Sequence, residues 1–180
     1  KNYPKWAKPL KIVQISDLHL GSFQRKDKLR EAVELINQEE VDLIFFTGDL
    51  VNNYASEAEP FVEILKEIKS KHGKYAVLGN HDYADYIGLD IHTSEGREQW
   101  QSNLDELKGY FNEADFDLML NENRLIEVNG VEINIVGVEN WGDGRFSKYG
   151  DLEKAMKNTK VGIPTLLLSH DPTHWENKVL

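Results

Sequence analysis

The sequence predicts an α/β domain that opens with parallel strand-helix-strand units and turns to antiparallel pairing in its second half. Short apolar runs at residues 11–15, 42–47 and 75–78 have the length and composition of buried strands. Between the first two runs, residues 28–38 carry Leu29, Ala32, Val33 and Ile36 at helical spacing, and a strand-helix-strand order favours parallel pairing. Further on, residues 124–128 and 131–136 flank Asn129-Gly130, the pair best suited to the positive φ angles of a type I′ turn, which marks an antiparallel hairpin.

The remaining elements follow in order. Ser56 with Glu59 reads as a capping box, Pro60 fits a first turn, and Phe61, Ile64, Leu65 and Ile68 form an apolar stripe, so a second helix leads into the strand at 75–78. His72, just before Gly73, suits that helix's C-terminus. Residues 83–93 lose periodicity directly after a polar tetrapeptide, where a loop covers or shapes a site. Trp100, Leu104, Leu107 and Phe111 mark a third helix with Thr93 or Ser94 as N-cap, and the stripe reads as core packing. Residues 140–145 read as a loop, 151–158 as a short helix, and 164–168 as another buried strand.

Bulk composition narrows the function. A chain of 180 residues suffices for one domain with its own core, with residues 1–10 as a leader and 11–180 as the folded part. A formal net charge of −10 disfavours nucleic acid as a partner, and a phosphate-ester substrate would have to be met with recruited cations. The absence of cysteine excludes disulfides and thiolate metal sites. The chain starts at Lys1 and not at Met, which admits a missing upstream segment such as a membrane anchor.

Chemistry gathers where strands end. The first run leads into Asp17-Leu18-His19, the second into Gly48-Asp49, the third into Gly79-Asn80-His81-Asp82, and the last into Ser169-His170. Asp17, His19, Asp49, Asn80, His81 and His170 offer carboxylate, imidazole and amide donors, a set suited to Mn, Fe, Zn or Co. A carboxylate can bridge two cations, and Asp49, between the others in sequence, is the natural bridge. Such a pair acidifies a water, making water and not a side chain the nucleophile. Against this stands a plainer reading, that Asp and Asn at strand ends cap turns. His174, four residues after His170 with Pro172 between, reads as a partly exposed histidine and not as a second ligand; Arg145 reads as a solvated loop residue, with phosphate contact as the alternative. The acidic positions 57–63 read as ordinary helix surface.

In this order the motifs resemble the calcineurin-like metallophosphoesterase superfamily over nearly the whole chain. The resemblance implies a four-layer α-β-β-α sandwich with two divalent metal ions at the strand ends. It implies Asp17 and His19 on the first ion, Asp49 bridging, and Asn80 and His170 on the second. His81 would contact the substrate phosphate and assist the leaving group, with Asp82 as its orienting partner. The phrase from Leu168 to Trp175 is similar to a bacterial, often membrane-tethered branch that acts on phosphodiester or pyrophosphate bonds, including those of lipid precursors, which points to a bacterial cytoplasmic or membrane-associated location. The family's closing Gly-His-x-His motif has no counterpart before Leu180, so a domain incomplete at its C-terminus is expected. The favoured function is hydrolysis of a phosphodiester or pyrophosphate. The alternatives are a phosphoesterase-fold binding module without catalysis and an acyl hydrolase built on Ser169, the latter disfavoured because adjacent residues at a strand end point apart.

Overall fold

Strand β2 (Leu43–Thr47) has every residue buried and sits at the centre of the computed structural model, which describes Pro4, residues 8–142 and residues 146–179. It pairs in parallel with β1 (Ile12–Ile15) on one side and β3 (Lys74–Val77) on the other, and β3 pairs in parallel with a two-residue strand, β4 (Asp117–Leu118). Ile15 lies opposite Phe46 and Thr47 opposite Val77, so the first three strands end side by side and the segments that follow them share one edge.

Side-chain alternation sends the strands' residues to two different cores. On one face Ile44, Phe46 and Ala76 join Leu29 and Val33 of α1 (Lys26–Gln38), Ile64 and Leu65 of α2 (Val62–Lys66), and Leu104, Leu107 and Phe111 of α3 (Ser94–Glu113). On the other, Leu43, Phe45, Tyr75 and Val77 meet Val128, Val131, Ile133, Ile135 and Leu168 of a second sheet. That sheet is the hairpin of β5 (Glu122–Val128) and β6 (Val131–Gly137), with β7 (Thr165–Leu168) added in parallel to β6. On its outer face Val136 and Leu167 pack with Ala155 and Leu152 of α4 (Leu152–Ala155). The layers run helix, sheet, sheet, helix, the architecture that the resemblance implies. Among the described residues no helix is long and apolar enough to cross a membrane.

The expected turn chemistry is realised at two places. Thr93 caps α3 by accepting from the Gly96 N–H at 3.1 Å. Asn129 and Gly130 close the hairpin with φ of 53° and 78°. A Cβ on Gly130 would meet nothing within 4 Å, so Gly130→Ala isolates the cost of left-handed backbone; about 1 kcal/mol of stability should be lost in urea denaturation, with unchanged m-value.

Several expectations are corrected. The capping box at Ser56 does not form: two 3-10 turns, Ala55–Glu57 and Glu59–Phe61, precede a helix that starts only at Val62, with Pro60 in the second turn. The stripe of Phe61, Ile64, Leu65 and Ile68 is nevertheless buried. Since α2 ends at Lys66, His72 is not at its C-terminus. Ala32 faces solvent, which narrows the buried seam of α1 to Leu29 and Val33 with Ile36 beside them. The helix expected over 151–158 is a single turn, capped by Asp151 accepting from Lys154 N–H.

Candidate metal centre

The turns after β1 and β2 are wound in a way that L-residues rarely adopt. Asp17, His19 and Asp49 have φ of 55°, 45° and 59°, and Gly48 has 97°. Left-handed backbone at non-glycine residues costs on the order of 1–3 kcal/mol each and persists where surrounding bonds over-determine it. Here the N–H groups of Asp17, His19 and Leu20 donate to the carbonyls of Gly48, Asp49 and Leu50 at 3.0, 3.1 and 2.9 Å, extending the β1–β2 ladder past the strand ends. The third turn closes against the second: a Cβ on Gly48 would lie 2.5 Å from Gly79 N, and one on Gly79 would lie 2.2 Å from Asp49 Oδ1.

Asp49 is at the middle of what these turns present. Its side chain is nearly inaccessible; Oδ1 accepts the His81 N–H at 3.0 Å, while Oδ2 faces His19 Nε2 at 3.6 Å and His170 Nε2 at 3.4 Å. His170 arrives from the end of β7, and its Nδ1 donates to the Thr47 carbonyl at 2.8 Å, which turns Nε2 toward Asp49. Burial opposes a charge on His170, but the hydrogen bond and negative charge of Asp49 outweigh it, and the imidazole is pushed up to about 9. Burial likewise works to raise the Asp49 carboxyl, yet His170 and the His81 N–H hold it below its ordinary value. Asn80 Oδ1 lies 3.2 Å from His170 Nε2. Asp17 Oδ1 is 3.9 Å from His19 Nε2, and its other oxygen accepts the Ser16 hydroxyl.

Two triads therefore bring ligand atoms within 4.8 Å of one another, His19–Asp49–His81 and Asp17–Asp49–His170. Asp49 belongs to both, and Asp17 Oδ1 also lies 3.9 Å from His19 Nε2. The donors fit hard or borderline cations: oxygen and imidazole nitrogen, with the far ring nitrogen of His170 engaged by a backbone carbonyl, as ligating histidines usually are. A buried carboxylate facing two imidazoles favours positive charge beside it.

Asp82 does not orient His81. Fully buried, it accepts from four backbone amides: Oδ2 from Asp49 and Gly79, both at 2.9 Å, and Oδ1 from Leu50 at 2.8 Å and Val51 at 3.3 Å. It ties the turn after β2 to the turn after β3. Burial is the main influence on its carboxyl, pushed up to about 6 against the pull of those amides. The partner of the His81 ring is instead the carbonyl of Asn52, 2.7 Å from Nδ1; since a carbonyl only accepts, Nδ1 carries the proton. Asn52 is held in turn by Glu57, whose Oε2 accepts the N–H of Asn52 at 2.6 Å and of Asn53 at 3.3 Å, so Glu57 is a loop brace and not plain helix surface.

His174 is likewise corrected. It is 1 % exposed, stacked on Trp141 with ring centroids 4.5 Å apart, and its Nδ1 lies 2.9 Å from Ser169 Oγ. The Ser169 hydroxyl thus turns toward His174 and not toward the metal-type cluster. Arg145 lies outside the described residues.

Residues 10–180 match the family model described as calcineurin-like phosphoesterase, and the chain belongs to that family. Among curated relatives it is 34 % identical to an uncharacterised metallophosphoesterase of Helicobacter pylori, over 93 % of this chain and 40 % of that protein. It is 29 % identical to the UDP-2,3-diacylglucosamine pyrophosphatase LpxG of Chlamydia muridarum, over 91 % of this chain and 57 % of that protein. It is 31 % identical to a bovine transmembrane protein with metallophosphoesterase domain, over 94 % of this chain and 36 % of that protein. The chain thus spans roughly a third to just over half of these relatives' lengths.

Proposed function

We propose that this chain hydrolyses a phosphodiester or pyrophosphate bond with two divalent cations held by Asp17, His19, Asp49, Asn80 and His170. The observation that carries the proposal is the membership of Asp49 in both ligand triads, with one carboxylate oxygen facing imidazoles on either side. The chlamydial pyrophosphatase supports a pyrophosphate bond with a lipid-like group attached, and the bovine relative supports work near a membrane. Two such ions supply neutralisation of the phosphoryl oxygens and acidification of a water.

The chain's own residues do the rest. The Asn52 carbonyl keeps the proton on His81 Nδ1, leaving Nε2 to face the substrate; in the protonated ring Nε2 donates to a phosphoryl oxygen or to the departing group. The Thr47 carbonyl does the same for His170, fixing which nitrogen serves as donor atom. Asp82 acts through the backbone, keeping Asp49 and Gly79 in register.

Titration of the metal-free chain with Mn(II), followed by calorimetry and elemental analysis, should give two ions per chain. Asp49→Asn should weaken both by about 100-fold and lower hydrolysis of bis(p-nitrophenyl) phosphate at least as much, because the residue is shared. Full metal affinity and turnover in Asp49→Asn would sink the proposal.

A further inference from the structure

The irregular segment after the 3-10 turn His81–Tyr83 returns to the site through Ala84, whose φ of 58° reverses the chain. It brings Tyr86 against two of the residues already described. The Tyr86 ring lies beside His81, centroids 4.6 Å apart and planes 40° apart, and the Tyr86 hydroxyl is 2.6 Å from Asn80 Nδ2, which donates to it. About half of the residue is exposed, so this ring borders the site's opening.

A carboxamide has two ends of nearly equal size and opposite hydrogen-bonding sense. Asn80 Oδ1 lies 3.2 Å from His170 Nε2, and as ligand atoms both would turn their lone pairs to the same cation. The near-equal size of the two amide ends means that packing alone does not decide which of them faces that space. The Tyr86 hydroxyl is the group that holds the NH2 on the far side. Resting on the reading of Asn80 as a metal ligand, we infer that Tyr86 is a positioning residue, its hydroxyl fixing the Asn80 amide with the oxygen toward the cation site while its ring backs His81.

The sequence singles out residues 83–93 as a segment that shapes the site, but nothing in the motifs separates Tyr86 from Tyr83. The distinction is geometric: Tyr83 is buried, with its hydroxyl on Glu139 at 2.8 Å, away from the ligands.

The test is a double-mutant cycle read by Mn(II) titration of the metal-free chain, with Tyr86→Phe, Asn80→Ala and the pair together. Tyr86→Phe keeps the ring and removes the hydroxyl; it should weaken one of the ions by about 10-fold, the usual scale for a partner behind a ligand, and leave the metal-free unfolding midpoint in place. On the Asn80→Ala background the same change should do nothing further. If Asn80→Ala weakens binding while Tyr86→Phe does not, or if the two effects simply add, the role of Tyr86 is refuted and the proposed function stands. If Asn80→Ala leaves binding unchanged, the reading of Asn80 as a ligand fails and this inference with it.

Discussion

Replacing Asp82 with alanine should destabilise the fold by at least about 3 kcal/mol in urea denaturation, the scale of several buried donors losing their acceptor at once. The side chain is fully buried and takes the N–H groups of Asp49, Leu50, Val51 and Gly79, all of which would lose their acceptor. Asp82→Asn should fall between alanine and the native residue. One amide oxygen still accepts, but the NH2 would face two N–H donors. If Asp82 acted instead as an orienting partner of His81, the asparagine variant would fold normally and lose only turnover. The four amide contacts predict the opposite: stability falls first, and metal affinity falls with it.

Gly79→Ala should have the second largest effect, and of a different kind. Its Cβ would lie 2.2 Å from Asp49 Oδ1 and 2.7 Å from the Asp49 backbone nitrogen, distances that no rotamer change of Ala can relieve. The backbone contact forces the third turn to lift away from the second, and the side-chain contact pushes the Asp49 carboxylate off its place between His19 and His170. Overpacking of this sort costs about 1–3 kcal/mol, so the variant should still fold. Its Mn(II) affinity should drop by about 100-fold, matching loss of the shared ligand more than loss of a peripheral one. Native affinity in a folded Gly79→Ala chain would show that the two turns are not pressed together as described.

The parts legible from sequence were those set by local chemistry. The apolar runs that became β1, β2, β3 and β7, the Asn129-Gly130 turn and the Thr93 cap each carry their cause within a few residues, and the ordered motifs at the strand ends drew Asp17, His19, Asp49, Asn80, His81 and His170 to one edge. What escaped was set by partners distant in sequence. β4 is two residues long, has no periodicity of its own, and exists because Tyr75 and Ala76 offer it an edge. Asp82 reads as an orienting carboxylate because it follows a histidine; three of its four partners lie on the turn more than 30 residues earlier. Asn52 contributes through a backbone carbonyl, which any residue possesses, so no side-chain pattern could have found it. His174 reads as a partly exposed histidine once Pro172 argues against a helix pairing it with His170, yet Trp141, brought over by the loop after β6, covers it.

The ladder past the ends of β1 and β2 also bears on the order in which the chain is made. Asp17, His19, Asp49, Asn80 and His81 all belong to turns of the first sheet, which has every strand once Leu118 has emerged. His170 follows on the last strand of the other sheet, 123 residues after the Thr47 carbonyl that it binds. Chain order therefore sets His170 apart: five of the donors leave the ribosome with the first sheet, and the sixth must be brought to them by β7.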